Sequence, residues 1–318
     1  MEPQMNADTR GLNYKSEIAD LNLRSSAFIR GFILFAKDIK ISHTIFAMPW
    51  AILSTVLAWH RTGGPIVGKL AIVVICMITA RTVAMAANRL LDAELDRRNP
   101  RTARRAIPSG QLSRGFVIAA LLLCAALFIA ATSLFWVVYR NPWPLALSVP
   151  VLLFISAYPL LKRFSRLCHY YLGMALALAP ICAWIAVSGG IALPPLLMAG
   201  AVLCWTAGFD IIYACQDYQS DLDTGVISVP SKMGIAGALW IARLTHVLSL
   251  SLLIKLGLTT PEFSTLFFIG VAAAGALLIV EHAIVKPHDL SKVGLAFFTI
   301  NGVISLLIGT LGVIDVLR

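Results

Sequence analysis

Charge is what this sequence has least of. Only 13% of its 318 residues are charged and 58% are hydrophobic, whereas a soluble domain carries about 25% charged residues. That leaves too little polar surface to cover a water-soluble globule. Acids are scarcer than bases, 16 against 26, for a net charge of +10. In a soluble chain such an excess would point to nucleic acid. Here the bases cluster between apolar runs, without interleaved aromatics, and nucleic acid is not expected as a partner. Short segments of alternating polarity are missing, which excludes a membrane barrel. There is no CxxC pair, so Cys76, Cys124, Cys168, Cys182, Cys204 and Cys215 read as small buried hydrophobes. Residues 1–25 are polar and of mixed charge, with no cleavable signal pattern.

Long apolar runs are present in number. Each is about 20 residues, enough to cross a bilayer, and backbone groups in lipid must bond within their own segment, so the runs are helices. Nine spans are predicted, at about 43–60, 67–91, 115–137, 143–161, 170–189, 191–215, 235–256, 263–285 and 293–315. Pro150, Pro180 and Pro194 are expected at kinks or near helix ends. The fold class is therefore an all-α integral membrane protein, read as one domain over 1–318. Within it, 1–40 form a cytoplasmic tail ending in an interfacial helix from Ala27 to Lys40, too short and too charged to span. With the N-terminus in the cytoplasm, eighteen Lys and Arg fall on the cytoplasmic side and five (Arg61, Lys69, Arg140, Lys255, Arg318) on the other. That asymmetry sets the orientation.

Two segments on the cytoplasmic side carry acids: the loop from about Asp92 to Arg114, and that from about Gln216 to Gly234. In Asn88-Arg-Leu-Leu-Asp92-Ala-Glu-Leu-Asp96 the i, i+4 spacing fans Asn88, Asp92 and Asp96 over roughly 80° of a helix at about 100° per residue. Arg81, seven residues earlier, falls within roughly 20° of Asn88 on the same scale. The second pattern, Asp210 followed by Asp217-Tyr-Gln-Ser-Asp221, repeats the spacings of seven and four. Asp223 points elsewhere and is read as solvated. Carboxylates are hard oxygen ligands, and Mg²⁺ typically takes one or two of them plus substrate phosphates and water. Two such motifs facing each other suit a diphosphate whose departure needs neutralising. The bland alternatives are solvated acids at helix ends and a structural Arg81–Asp210 pair, which is compatible with catalysis. Ionisable residues reaching into a span favour function.

At these residues the sequence resembles a known family. Asn88-x-x-x-Asp92-x-x-x-Asp96, followed by Asn99-Pro100-Arg101-Thr102 and Arg105-Ala-Ile-Pro108-Ser109-Gly110, resembles the first signature of the UbiA superfamily of membrane prenyltransferases. Asp217-Tyr-Gln-Ser-Asp221 resembles its second signature, and Tyr158-Pro159-Leu-Leu-Lys162-Arg163 a third element. The resemblance runs from about Lys40 to the last span. It is closest to the 4-hydroxybenzoate polyprenyltransferases and the similar enzymes of the futalosine menaquinone route. The stretch Lys40-Ile-Ser-His43-Thr-Ile-Phe-Ala-Met-Pro49 is more similar to the latter. The resemblance implies nine helices around a central cavity with cytoplasmic cap loops. It implies Mg²⁺ held by Asn88, Asp92, Asp96, Asp217 and Asp221, and catalysis through the four aspartates. Diphosphate would lie near Tyr158, Lys162, Arg163, Arg97 and Arg101. The implied substrates are a polyprenyl diphosphate, whose tail occupies an apolar channel open to membrane lipid, and an aromatic acceptor. The acceptor is expected to be a hydroxylated aromatic acid, with Arg81 as the buried cation for its carboxylate.

Weaker candidates are His43 near the acceptor, Arg243 near diphosphate, and Trp205 and Tyr213 lining an acceptor pocket; for each, ordinary packing or pairing is the rival. His246 is read as a packing residue and Asn301 as an interhelical hydrogen-bonder. Two rival functions stand beside the prenyltransferase reading: a secondary transporter, which normally shows repeated halves and broken helices, and a haem farnesyltransferase within the same superfamily.

Overall fold

The structure, a computed structural model, describes residues 31–39 and 41–318. The tail before residue 31 lies outside it, so the expected interfacial helix is seen only as a helix over 31–38. Phe35 and Ile39 of this segment are buried against Ala86, Ala93, Ile107 and Val117, while Phe32 and Ile33 are exposed.

The regular elements among the described residues are all helices, with an isolated bridge between Lys286 and Asp289 and no strand. The main helices are α1 (Met48–Thr62), α2 (Ile66–Arg98), α3 (Arg114–Tyr139), α4 (Trp143–Ala157), α5 (Cys168–Ser188), α6 (Leu193–Ala214), α7 (Tyr218–Thr224), α8 (Val229–Thr259), α9 (Thr265–Ile284) and α10 (Val293–Val316). Leaving out the short α7, each main helix packs on the next, and α10 returns to α1, so the bundle closes in chain order. The tightest seams join α6 to α5 and α8. Glycine permits both: a Cβ at Gly173 would strike the Leu203 carbonyl, and one at Gly208 would strike the His246 ring.

Eight helices among the described residues are long and apolar enough to cross a membrane. The sequence predicted nine. The difference is the first: α1 has 15 residues, about 22 Å of helix against a hydrocarbon core of about 30 Å. A 3₁₀ turn, Ile41–Phe46, precedes it. Outward faces carry exposed Leu122, Leu127, Leu244, Leu248 and Ile279, as lipid requires. Between helices in lipid the hydrophobic effect gives little, so packing and polar links matter. Ser54 donates to the Pro180 carbonyl (2.6 Å), Ser249 to that of Ala201 (2.8 Å) and Ser305 to that of Phe46 (3.1 Å). Trp205 Nε1 donates to Asn301 Oδ1 at 2.6 Å, and Asn301 Nδ2 to Glu281 at 3.0 Å, which ties α6, α9 and α10 together. Pro150 and Pro180 lie inside α4 and α5; Pro194 opens α6.

α2 corrects the first loop boundary. It is 33 residues long, about 50 Å at 1.5 Å per residue, and its last turns outrun the bilayer. It stops at Asn99, whose backbone is extended because Pro100 disfavours a helical residue before it. Asp92 and Asp96 are therefore buried helical residues, and the connecting loop is 99–113. At the second motif the reverse holds: α6 ends at Ala214, a 3₁₀ turn covers Cys215–Asp217, and α7 closes at Gly225 with φ 73°. The chain that was expected to loop as far as Gly234 is already helical at Val229, where Ser228 and Ser231 form a capping box. Gly234, at φ 70°, kinks α8.

Candidate functional site

Both acidic motifs open onto one cavity of about 290 Å³. From α2 it is lined by Arg81, Asn88, Asp92 and Asp96, from the turn after α4 by Tyr158 and Lys162, and from α6 and α7 by Asp210, Asp217 and Asp221. A second cavity, about 170 Å³ and almost wholly apolar, lies among α2, α3, α4 and α5, with Met77, Phe128, Phe135, Leu147 and Ile155 in its wall. The two share Arg81, Met85, Tyr158, Leu172 and Leu176.

Three of the motif carboxylates, Asp92, Asp96 and Asp217, hold a cation. Asp92 Oδ2 accepts from Lys162 Nζ and from Asn88 Nδ2, each at 2.7 Å. Its Oδ1 is buried without a hydrogen-bond partner, with the Arg163 guanidinium 3.9 Å away. Arg163 itself donates to the Leu91 carbonyl at 2.6 Å. Asp96 takes both oxygens to Arg105 Nη1 (2.7 and 2.8 Å). Arg101 forks onto Asp217, and Asn99 Nδ2 adds a 2.7 Å bond to the same carboxylate. Burial pushes the Arg101 guanidinium down, but the hydrogen bond and charge of Asp217 outweigh it and the net direction is up. Asp221 accepts from Ser228 Oγ at 2.7 Å.

The loop 99–113 thus spans both motifs, anchored to α2 through Arg105 and to the α6–α7 turn through Arg101. Its base is fixed by Asp38, which accepts from Arg89 Nε (2.8 Å) and from the Ala106 amide (3.1 Å). Tyr213 receives Arg101 Nη1 at 3.0 Å.

The site gathers nearly all of the residues picked from the sequence. Arg97 stays outside, exposed and 3.8 Å from Glu94, and Arg163 reaches Asp92 only at 3.9 Å without lining the cavity. The Arg81–Asp210 pair does not form. Asp210 bonds His169 Nδ1 at 2.7 Å instead, while Arg81 Nε is buried without a partner. Arg243 stacks on Trp240 at 4.7 Å. Trp205 packs on Phe46, Trp50 and Phe209, and His246 is held by His282 and the Trp205 carbonyl. Asp223 is exposed and bonds Gln219. His169, Asn99, Arg105, Ser228 and Asp38 were missed as site residues. Asn99 and Arg105 lay within quoted motifs. The Asp210 partner of His169 is 41 positions away, a separation with no local signal.

The donor set fits Mg²⁺. It is all hard oxygen, and a buried carboxylate oxygen stands unpartnered at Asp92. Among the described residues no group of three or more His, Cys, Asp or Glu side chains is placed to hold a metal unaided. Substrate oxygens and water would have to complete the shell, as is usual for this ion.

Residues 47–303 match the UbiA prenyltransferase family. A 4-hydroxybenzoate octaprenyltransferase of Francisella tularensis subsp. novicida is 30% identical over 272 residues, covering 85% of this chain and 92% of its own. That of Methylococcus capsulatus is 27% identical over 281 residues, covering 86% and 89%. Among solved structures, a UbiA homolog from Aeropyrum pernix K1 superposes with a TM-score of 0.77 at 29% identity, covering 86% of this chain and 98% of its own. A homolog from Archaeoglobus fulgidus, solved with DMAPP and Mg²⁺, shares the fold at 16% identity and a TM-score of 0.59, covering 89% and 98%.

Proposed function

We propose that this chain, which belongs to the UbiA prenyltransferase family, is an integral membrane enzyme that moves a polyprenyl group from its diphosphate onto a hydroxylated aromatic acid, of 4-hydroxybenzoate or dihydroxynaphthoate type, in quinone biosynthesis. The observation that carries the reading is the meeting of two unlike cavities, one lined by both acidic motifs and one apolar, at Arg81 and Tyr158. A polyprenyl diphosphate is a molecule with the same two halves.

Asn88, Asp92, Asp96, Asp217 and Asp221 would hold Mg²⁺ against the diphosphate. The ion supplies charge neutralisation of the departing group. The chain's own cations do the rest. Lys162, Arg101 and Arg105 hold the carboxylates at 2.5–2.7 Å. When substrate enters, Lys162 and Arg101 exchange these partners for phosphate oxygens, with Arg163 and Tyr158 beside them. Contacts that strengthen as negative charge builds on the diphosphate lower the barrier to breaking its C–O bond. The allylic cation forms where the two cavities meet, beside Tyr158 and Met85, and its tail runs through the apolar cavity among Met77, Phe128 and Ile155 toward lipid. An electron-rich ring carbon attacks it, forming a C–C bond, and the ring then loses a proton.

Arg81 would receive the acceptor's carboxylate. An unpaired buried cation is expensive, so this position selects an anion. The family assignment stands against the transporter reading, and so do the acids, which line one cavity at one end of the bundle. We count Ile41–Thr62 as the ninth crossing, the 3₁₀ turn making up the length α1 lacks, and take the chain as one prenyltransferase unit with the cavity mouth and loop 99–113 on the cytoplasmic side. The test is an acceptor screen: purified protein with long polyprenyl diphosphates and Mg²⁺, offered 4-hydroxybenzoate, dihydroxynaphthoates, benzoate and haem, with products read by mass spectrometry. Prenylated hydroxy acids are expected; transfer to haem alone, or to none, would refute the assignment.

A further inference from the structure

His169 is almost fully enclosed at the start of α5, yet it borders the polar cavity together with Asp210 of α6. Both ring nitrogens are engaged. The Val229 amide donates to Nε2 at 3.2 Å, and Nδ1 lies 2.7 Å from Asp210 Oδ2. Since Nε2 accepts, the proton of the neutral ring sits on Nδ1 and is donated to Asp210. The Asp210 side chain is 23% exposed, and the rest of its carboxylate is turned to the cavity that holds Arg81. Asp210 is the one carboxylate of the two motif patterns held by an imidazole rather than by Arg, Lys or a hydroxyl. A Lys or Arg would neutralise it; a neutral imidazole orients it and leaves its charge.

Resting on the aromatic-acceptor reading above, we propose that Asp210 accepts the proton of the acceptor's ring hydroxyl and that His169 is the residue that positions it. As the ring carbon bonds to the allylic cation, the hydroxyl oxygen becomes a carbonyl and its proton passes to Asp210 Oδ1. The alkylated carbon then gives its proton to the released diphosphate, and Asp210 returns the first proton to the ring oxygen. One C–O bond is broken, one C–C bond is formed, and one proton leaves with diphosphate. The acceptor is then gripped at both ends, with carboxylate on Arg81 of α2 and hydroxyl on Asp210 of α6, which orients the carbon beside the hydroxyl toward the cation.

The experiment compares wild type, His169→Gln, His169→Leu and Asp210→Asn on the phenolic acid the enzyme turns over and on ring-fluorinated versions with increasingly acidic hydroxyls. Gln can accept from Val229 and donate to Asp210, so His169→Gln should keep most of kcat. His169→Leu and Asp210→Asn should lose roughly ten- to a hundredfold in kcat with the donor KM unchanged, within the range of general-base effects. The ratio of wild-type to variant rate should shrink as the hydroxyl becomes more acidic, because a group that ionises readily needs the acceptor less. A purely structural role would leave that ratio constant. A constant ratio in Asp210→Asn, or a His169→Gln variant as slow as His169→Leu, overturns the proposal while leaving the prenyltransferase reading intact. A wild-type enzyme that prenylates no phenol overturns both.

Discussion

Arg101 forks onto Asp217, Nε to Oδ1 at 2.8 Å and Nη2 to Oδ2 at 2.5 Å, so the loop after one acidic motif is tied directly to the other. The guanidinium also lies 5.1 Å from the Tyr213 ring centroid. A planar fork on a carboxylate is a geometry Lys cannot copy. If Arg101 passes from Asp217 to the diphosphate during turnover, Arg101→Met should raise the KM for prenyl diphosphate and lower kcat/KM roughly ten- to a hundredfold, the scale of about 1.4 kcal/mol per tenfold. Arg101→Lys should recover only part of this. Steady-state kinetics at saturating acceptor provide the check, and unchanged donor KM in Arg101→Met would confine Arg101 to a structural tie.

Arg81 makes the complementary prediction. Its Nε is buried without a partner at the junction of the two cavities. Arg81→Met should raise acceptor KM much more than donor KM, as expected for lost ground-state binding. The defect should be largest for acceptors with a ring carboxylate. Equal loss for acidic and non-acidic phenols would assign Arg81 to packing or to diphosphate.

How far the sequence speaks depends on the reach of each interaction. Asn88, Asp92 and Asp96 are four apart on one helix, and their common face follows from 3.6 residues per turn; they line one cavity as expected. The apolar runs likewise give most helix ends within a few residues, the exceptions being the start of α1, the end of α2 and the start of α8. What stayed hidden is nonlocal. Nothing near His169 announces Asp210 on the next helix, and the pairing weighed for Asp210 as an alternative was with Arg81, which shares its intramembrane placement but not its contacts. The link from Asp38 to Arg89 spans 51 positions and fixes the base of the first loop. The end of α2 was misplaced for a different reason. Hydropathy marks where lipid ends, whereas hydrogen bonding continues the helix to Arg98, and Pro100 keeps Asn99 extended.

Orientation is open to labelling. Arg104 and Asp223 are exposed beside the two motifs, and Gly190 is exposed between α5 and α6. In intact cells, Arg104→Cys and Asp223→Cys should be protected from a membrane-impermeant thiol reagent, and Gly190→Cys should label above the background of the native cysteines. Labelling of the first two and protection of the third would invert the assigned topology; opposite behaviour of Arg104→Cys and Asp223→Cys would contradict a shared cavity altogether.

The central claim is that the carboxylates lining this cavity hold a metal that draws off diphosphate. Asp92 tests it best: it is 1% exposed, its Oδ1 is unpartnered, and Lys162 neutralises the other oxygen. Diphosphate release should be measured in detergent with polyprenyl diphosphate and a hydroxylated aromatic acid, across a Mg²⁺ titration, for wild type and Asp92→Asn. Wild-type release should rise from nothing with Mg²⁺ and be abolished by chelation. Asp92→Asn, close in shape and still membrane-inserted, should fall by at least roughly a hundredfold at limiting Mg²⁺. Metal-independent release by wild type, or near-normal release by Asp92→Asn at limiting Mg²⁺, would contradict the account.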